Sequence, residues 1–316
     1  MAFTKRNKQI LYLIFTVVIA FIILYIYRKT FKNTKAKTVC LVWRNSIDKS
    51  HYHGLGDKIR GAIALNQFCR KNDYNFMIDA TDDICGKFLK NVLSNKYNTI
   101  KKIDVITKCS YNYGKPECES VIGNYDFSNN NTIYVYTNAS PENVHWKVYS
   151  KDSISKEDKE YGRFLCTPND TFKSEIDEVI SSLPADYGVQ HFRFDDKVFY
   201  GGDLSINDPI FVTYYNILVN KYTPNDVLLS NSNNFKQFAH RVLGIHIIKC
   251  DGSDCNIDHI GTSDSYEKVK PTFIEFYVIA KAKYIKTISS YDWVSNFVKW
   301  PALIYDVPLE EHIVKK

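Results

Sequence analysis

Between Gly188 and Lys197 the chain reads GVQHFRFDDK, so that His191, Arg193, Asp195, Asp196 and Lys197 crowd together at the end of an apolar run. The run predicts a buried strand, and in an open α/β sheet ligands bind at the carboxyl ends of strands. His191 and Arg193 stand two positions apart and therefore share one strand face. A guanidinium there offers a planar fork of donors matched to a diphosphate or a carboxylate. Arg193 is thus the leading candidate for anion chemistry, with His191, Asp196 and Lys197 as its neighbours. The plainer reading of the same residues is a solvated strand end of mixed charge.

Two further groupings could serve the same anion. The segment HYHGLGDKIRGAIALNQF, residues 51–68, puts Gly54 and Gly56 ahead of a helical pattern. Glycines there allow positive φ and close backbone approach to an anion at a helix N-terminus. Asp57 and Arg60 follow in the first turn. Ile59, Ala62, Ile63 and Cys69 make the apolar stripe, which predicts that Lys58 and Arg60 lie off the buried face. The spacing Gly54, Gly56, Gly61 departs from the dinucleotide fingerprint and argues against a nicotinamide cofactor. A glycine turn with solvated cations is the plainer alternative.

In the third grouping, residues 271–281 are apolar nearly all round yet carry Glu275, whose burial demands a cation or several donors. Pairing within the fold and a role toward a ligand stand as equal readings. The strand behind it ends in Ser289, Ser290 and Tyr291 and turns into a helix near Ser295, where hydroxyls and free amides again suit an anion. No metal or cofactor is expected. Asp82 and Asp83, like Asp251 and Asp254, read as turn residues, and His51 and His53 lack a third ligand nearby.

The elements that must position these groups alternate in type. Strands are expected at 38–43, 74–79, 100–106, 132–136, 187–194, 227–230, 245–250 and 284–289. Helices are expected at 57–71, 83–93, 171–183, 209–222, 233–242, 271–281 and 293–303. That alternation predicts an α/β fold of two Rossmann-like, doubly wound sheets whose strand ends share one cleft. The first domain would span 38–170 and the second 171–316.

Ahead of them, Ile10–Tyr27 is an uncharged run of 18 residues, enough to cover about 27 Å of hydrocarbon as a helix. It predicts a transmembrane anchor, with residues 1–9 as a cytosolic tail and 28–37 as a stem. The 316-residue chain carries a net charge of +6, but residues 1–37 hold eight cations and no acid, which leaves the rest at −2. A nucleic-acid partner is therefore not expected. Eight cysteines, with close pairs Cys109/Cys118 and Cys250/Cys255, and sequons at Asn130, Asn138 and Asn169 favour a body in an oxidising lumen. The expected localisation is a type II, single-pass protein of the Golgi or endoplasmic reticulum.

With these motifs in order, the chain resembles the fucosyltransferase superfamily that includes the α1,6-, α1,2- and protein O-fucosyltransferases. Gly54–Gly61, GLGDKIRG, resembles that superfamily's opening G-x-G-[DN]-[RK] loop. His191–Lys197 is similar to its H-x-R-x-x-D motif, nearest the α1,6 form. Leu228–Asn231, LLSN, stands where a strand followed by Ser-Asp is expected, which brings in Ser230 and Asn231. Glu275 and the serines at 289, 290 and 295 stand where the family has an acidic helix and a Ser/Thr-rich phosphate turn. The resemblance implies a GT-B arrangement, a C-terminal half holding a GDP-sugar and an N-terminal half holding a glycan or glycoprotein acceptor. It implies that Arg193 is the diphosphate ligand, His191 its neighbour and Asp196 the motif aspartate. Asn231 and Glu275 each replace an Asp, and Phe194 replaces a second Arg.

The implied activity is metal-independent, inverting transfer of fucose from GDP-fucose. Asp57, Asp196 and Glu275 are the candidate bases. Another donor on the same fold, or a carbohydrate-binding protein that has lost turnover, is the alternative.

Overall fold

The computed structural model describes residues 18–19, 36–43, 53–93, 107–108, 116–145, 147–195, 198, 202–248, 260, 263 and 265–314. Two four-stranded sheets, every pairing parallel, organise them. The first joins β1 (Thr38–Val42), β2 (Asn75–Asp79), β3 (Thr107–Lys108) and β4 (Thr132–Tyr136) in the order β2-β1-β4-β3. The second joins β5 (Val189–Arg193), β6 (Val227–Ser230), β7 (Ile285–Ser289) and β8 (Leu309–Ile313) in the order β6-β5-β7-β8. Each order reverses beside its first strand: β1 lies between β2 and β4, and β5 between β6 and β7. Such switch points open a crevice at the strand carboxyl ends.

Eight helices pack around the sheets among the described residues: α1 (Leu55–Lys71), α2 (Pro116–Gly123), α3 (Lys156–Leu165), α4 (Asp170–Ser181), α5 (Pro209–Lys221), α6 (Asn233–Leu243), α7 (Tyr266–Lys281) and α8 (Asn296–Tyr305). Alternation along the strands of the second sheet divides its side chains between two cores. Phe192, Leu228 and Ile288 meet Phe211 and Tyr214 of α5 and Phe235 of α6. Val189, Val227 and Ile285 face the other way, into a core shared with α7, α8 and the first sheet. His191 and Arg193 have the parity of Val189, so they face that shared side.

Two expected elements differ. Residues 83–93 form no α-helix. They make only a 3-10 turn, Ile84–Lys87, capped by Asp83, and then extend so that Leu89 bridges Pro168 and Leu93 bridges Asp79. Their apolar residues are buried by long-range contacts rather than along a helical stripe. The strand at 245–250 contracts to a bridge between His246 and Val227, and the strand at 100–106 lies outside the described residues. Other elements went unforeseen, among them α2, in a stretch that reads as a loop. α3 carries a capping box, Ser155 with Asp158, a signal present in the sequence. β8 (LEEHI) is too polar to read as buried and sits at the sheet edge.

Apart from Val18 and Ile19, the run Ile10–Tyr27 lies outside the described residues, and among those described no helix is long and apolar enough to cross a membrane. The cysteine count does not resolve into pairs throughout. Cys40, Cys69, Cys85 and Cys166 are buried and form no disulfide, and Cys118 is disulfide-bonded.

Candidate functional site

Arg193 closes β5 at the switch point of the second sheet, in register with Ser289 of β7. Its guanidinium lies 6.0 Å from the ring centre of Tyr291, in the turn that follows β7. His191, two residues earlier, is buried and shares a 2.9 Å hydrogen bond with Thr287 Oγ1 through Nδ1. Burial, and then the charge of Arg193, press its pKa down to about 3, so the imidazole is neutral over the working range of most proteins. Its ring lies 6.2 Å from that of Phe297, in the first turn of α8. Arg193 therefore has an uncharged, rigid neighbour on one side and the serine turn on the other.

The glycine loop arrives at the same place from the first sheet. Gly54 is extended, at φ −68° and ψ 170°, and caps α1 without a side-chain hydrogen bond. Gly56 is already helical, and the described glycines with positive φ are Gly202 and Gly244. The expected use of these glycines for left-handed turns is therefore corrected: their value is close packing. A Cβ on Gly56 would lie 2.6 Å from the backbone carbonyl of Asn296, and one on Gly61 would lie 2.4 Å from the Thr137 carbonyl oxygen. The N-termini of α1 and α8 thus abut, and Asn296 Nδ2 donates to Asp57 Oδ1 at 3.1 Å. Two helix N-termini side by side concentrate partial positive charge, and Asp57 is the acid in the first turn of α1.

The cations of the loop do not lie where the stripe predicts. Lys58 and Arg60 are 2% and 3% exposed. Lys58 pairs with Asp83 within a pocket walled by Trp43, and burial is outweighed by Asp83 and its surroundings, so its pKa is raised. Arg60 Nε donates to the Asn138 carbonyl at 2.6 Å, and its terminal nitrogen reaches Asp57 at 3.1 Å. Long-range partners on the first sheet's rim thus override the helical stripe. Arg60 holds Asp57 in place and adds charge behind the site.

At the other strand ends, hydroxyls turn the chain. Ser230 Oγ accepts from Ser232 N at 3.1 Å, Ser289 Oγ from Tyr291 N at 3.1 Å, and Ser295 Oγ from Phe297 N at 3.3 Å. Ser290 is half-buried beside them. Asn231 uses both ends of its amide on the backbone of Phe194, accepting at 2.8 Å and donating at 3.2 Å. It holds the segment after Arg193 against β6 in the manner of a strand. Asp203 occupies the start of α6, accepting from Ser232 Oγ at 2.5 Å and Asn234 N at 2.6 Å. That N-terminus is filled by the chain's own carboxylate, and Ser295 caps the start of α8, which follows the turn that carries Tyr291 beside Arg193.

Glu275 stands apart from this group. It is 5% exposed on α7, 3.6 Å from Lys236 of α6, and burial raises its pKa to about 7 against the pull of that lysine. Asp196 and Lys197 lie outside the described residues. The arrangement therefore brings together Arg193, His191, Ser289, Ser290, Ser295, Gly54, Gly56, Asp57 and Arg60. Sequence reasoning named Tyr291 at the strand end but missed Asn296, Lys299 and Trp293. Lys299 is buried and donates to the carbonyls of His145 at 2.6 Å and Val148 at 2.7 Å, clamping that loop against α8. Among the described residues no group of three His, Cys, Asp or Glu side chains could hold a metal ion.

This fold is the one adopted by fucosyltransferases. The chain is similar to NodZ α-1,6-fucosyltransferase of Bradyrhizobium co-crystallised with GDP, at 12% identity and a TM-score of 0.52 over 87% of this chain and 94% of NodZ. A NodZ crystal soaked with GDP-fucose matches over the same shares at a TM-score of 0.50 and 12% identity. A mutant of Arabidopsis thaliana FUT1 in complex with GDP matches at 12% identity and a TM-score of 0.51, over 90% of this chain and 72% of that one. No protein-family model and no curated protein sequence matches. The motif resemblance to the fucosyltransferase superfamily holds at the level of the fold.

Proposed function

We propose that this chain is a glycosyltransferase that moves fucose from GDP-fucose to a hydroxyl of a glycan or glycoprotein acceptor. The observation that carries the reading is the place of Arg193: at the switch point of the second sheet, in register with Ser289 and beside Tyr291 of the turn that leads into α8. The GDP of two structures of like fold, and the GDP-fucose soaked into a crystal of another, support a GDP-sugar as donor. In this reading the domains 38–170 and 171–316 face one another in a GT-B arrangement, with the donor on the C-terminal side. The body is lumenal, in the Golgi or endoplasmic reticulum, and is anchored through Ile10–Tyr27, as the uncharged run and the sequons suggest.

The chemistry follows from charge. An acceptor hydroxyl attacks the anomeric carbon from the face opposite the diphosphate. The bond from that carbon to the diphosphate oxygen breaks through an oxocarbenium-like state, the hydroxyl proton passes to a carboxylate, and GDP departs. Negative charge grows on the departing diphosphate, which Arg193 and the serine turn before α8 would stabilise without a metal ion, with Lys197 as a further expected cation. One preorganised donor of this kind contributes about 3–4 kcal/mol. Among the expected carboxylates, Asp57 is the one at the junction of the halves, oriented by Arg60 and Asn296. Glu275 is engaged with Lys236.

A second reading has one observation in its favour. The amide of Asn231 is wholly engaged by Phe194, which suits a protein that holds a sugar without turning it over. One assay separates the two: full-length protein in detergent, offered a panel of nucleotide-sugars, with nucleotide release measured. Release from GDP-fucose, abolished by Arg193→Ala in a folded variant, supports transfer. Release from a different donor only would replace fucose, and glycan binding with no release on any donor would establish the second reading.

A further inference from the structure

Beyond the donor site, the turn between β7 and α8 carries an aromatic pair. Tyr291 and Trp293 stack with centroids 4.8 Å apart and planes 27° from parallel. Both are half-buried, so part of the pair reaches solvent. Ser289 Oγ fixes the start of the turn by accepting from Tyr291 N. Asp292, between the two rings, bonds Lys147 at 2.7 Å, with side chains 66% and 38% exposed. Lys147 belongs to the loop that Lys299 clamps through His145 and Val148. The turn is therefore tied both to the strand end that holds Arg193 and to the first half of the chain.

We propose that Trp293, backed by Tyr291, forms the stacking platform for the acceptor sugar, with Lys147 and Asp292 binding its hydroxyls. This rests on the donor reading of Arg193 and adds the acceptor class: a pyranose that presents a C–H face. A sugar ring is apolar on its faces and polar at its edges, so an aromatic face beside a charged pair suits it. The acceptor must stand next to the bond that breaks. The guanidinium of Arg193 is 6.0 Å from the Tyr291 ring, which sets the pair beside the diphosphate. The Lys147–Asp292 bridge ties the pair to the first half of the chain.

The test uses full-length protein in detergent on an array of neutral N- and O-glycans, with GDP binding followed in parallel by calorimetry. Trp293→Ala should weaken glycan binding more than tenfold, as truncation of a central aromatic anchor does. Trp293→Phe should keep most of the binding, and GDP affinity should stay within about twofold of the parent in both variants, a tenfold change being the threshold of one full step in binding energy. Asp292→Asn, at a position 66% exposed, should lower glycan binding several-fold and decides the matter if Trp293→Ala does not fold. Equal losses of glycan and GDP binding would assign the platform to the nucleobase and overturn the proposal. Unchanged glycan binding in both Trp293→Ala and Asp292→Asn would overturn it, as would an array on which the parent binds nothing. Glycan binding that depends on Trp293 in a protein with no affinity for GDP would uphold the platform and defeat the donor reading instead.

Discussion

Gly56 lies flush against Asn296: a Cβ on Gly56 would sit 2.6 Å from both the carbonyl carbon and the carbonyl oxygen of Asn296, 240 positions along the chain. The contact is backbone against backbone, so no rotamer change can relieve it. It brings the start of α1 to the start of α8, and the Asp57–Asn296 hydrogen bond reinforces it. The candidate site exists because these two helix ends meet.

Gly56→Ala should therefore force the halves apart. Overpacking of this kind costs about 1–3 kcal/mol, and GDP affinity should fall with it. Gly123→Ala, where an added Cβ meets nothing within 4 Å, should leave both unchanged. Denaturant melts and calorimetric GDP titrations of the two variants make the comparison. Equal stability of Gly56→Ala and the parent would mean that the helix ends are not in contact in solution.

Arg193→Ala should leave the fold intact and reduce turnover about 10²–10³-fold, the usual consequence of removing one donor to developing charge. Arg193→Lys should recover little, because an ammonium lacks the planar fork. Steady-state nucleotide release checks this, with near-parental activity in Arg193→Lys as the contrary result.

His191 should make the protein sensitive to acid. Its folded pKa of about 3 lies below the ordinary 6.5, so the unfolded chain binds the proton more readily. The stability conferred by the neutral ring is fully present above pH 6.5 and is lost as pH falls toward 3. The limiting slope is about 1.4 kcal/mol per pH unit for one proton. Chemical denaturation at pH 7, 5.5 and 4.5 should show the difference between parent and His191→Gln narrowing as pH drops. A constant difference would contradict the buried, neutral state.

Glu275 should act in the opposite sense. Its folded pKa is raised from 4.5 to about 7, so its contribution is fully present below pH 4.5 and declines as pH rises through 7. Lys236→Met, which leaves the carboxyl buried without its cation, should cost about 3–5 kcal/mol at pH 8 and less at pH 5. The double variant Lys236→Met/Glu275→Leu should recover most of the loss, since apolar replacement of a buried pair is often neutral. Failure to recover, together with lost turnover, would assign Glu275 to the ligand instead of the fold.

The architecture was legible where apolar patterning is local. Alternating strands and helices at 38–43, 57–71, 74–79, 187–194 and 209–222 were each found within a few residues, because a strand buried on both faces reads as an apolar run. The helix expected at 83–93 failed because Asp83 and the chain after it answer to Lys58, Pro168 and Asp79, partners remote in sequence. Lys58 and Arg60 were misplaced for the same reason. A helical stripe assigns unpartnered cations to water, and the periodicity of α1 carries no sign of Asp83 or of the Asn138 carbonyl.

In the candidate site, the placing of Arg193 and the serines at strand ends could be read from the sequence alone. A guanidinium at the close of an apolar run, and serines before a helix, keep their meaning in any α/β fold, since strand termini and helix N-termini are local features. Which of these groups meet one another was a matter of packing. The register of Arg193 with Ser289, the abutment of Gly56 and Asn296, the engagement of Glu275 by Lys236 and of Asn231 by Phe194 all join segments far apart along the chain. Such contacts are selected by how two sheets and their helices close around a shared core, and no pattern within a single segment encodes them.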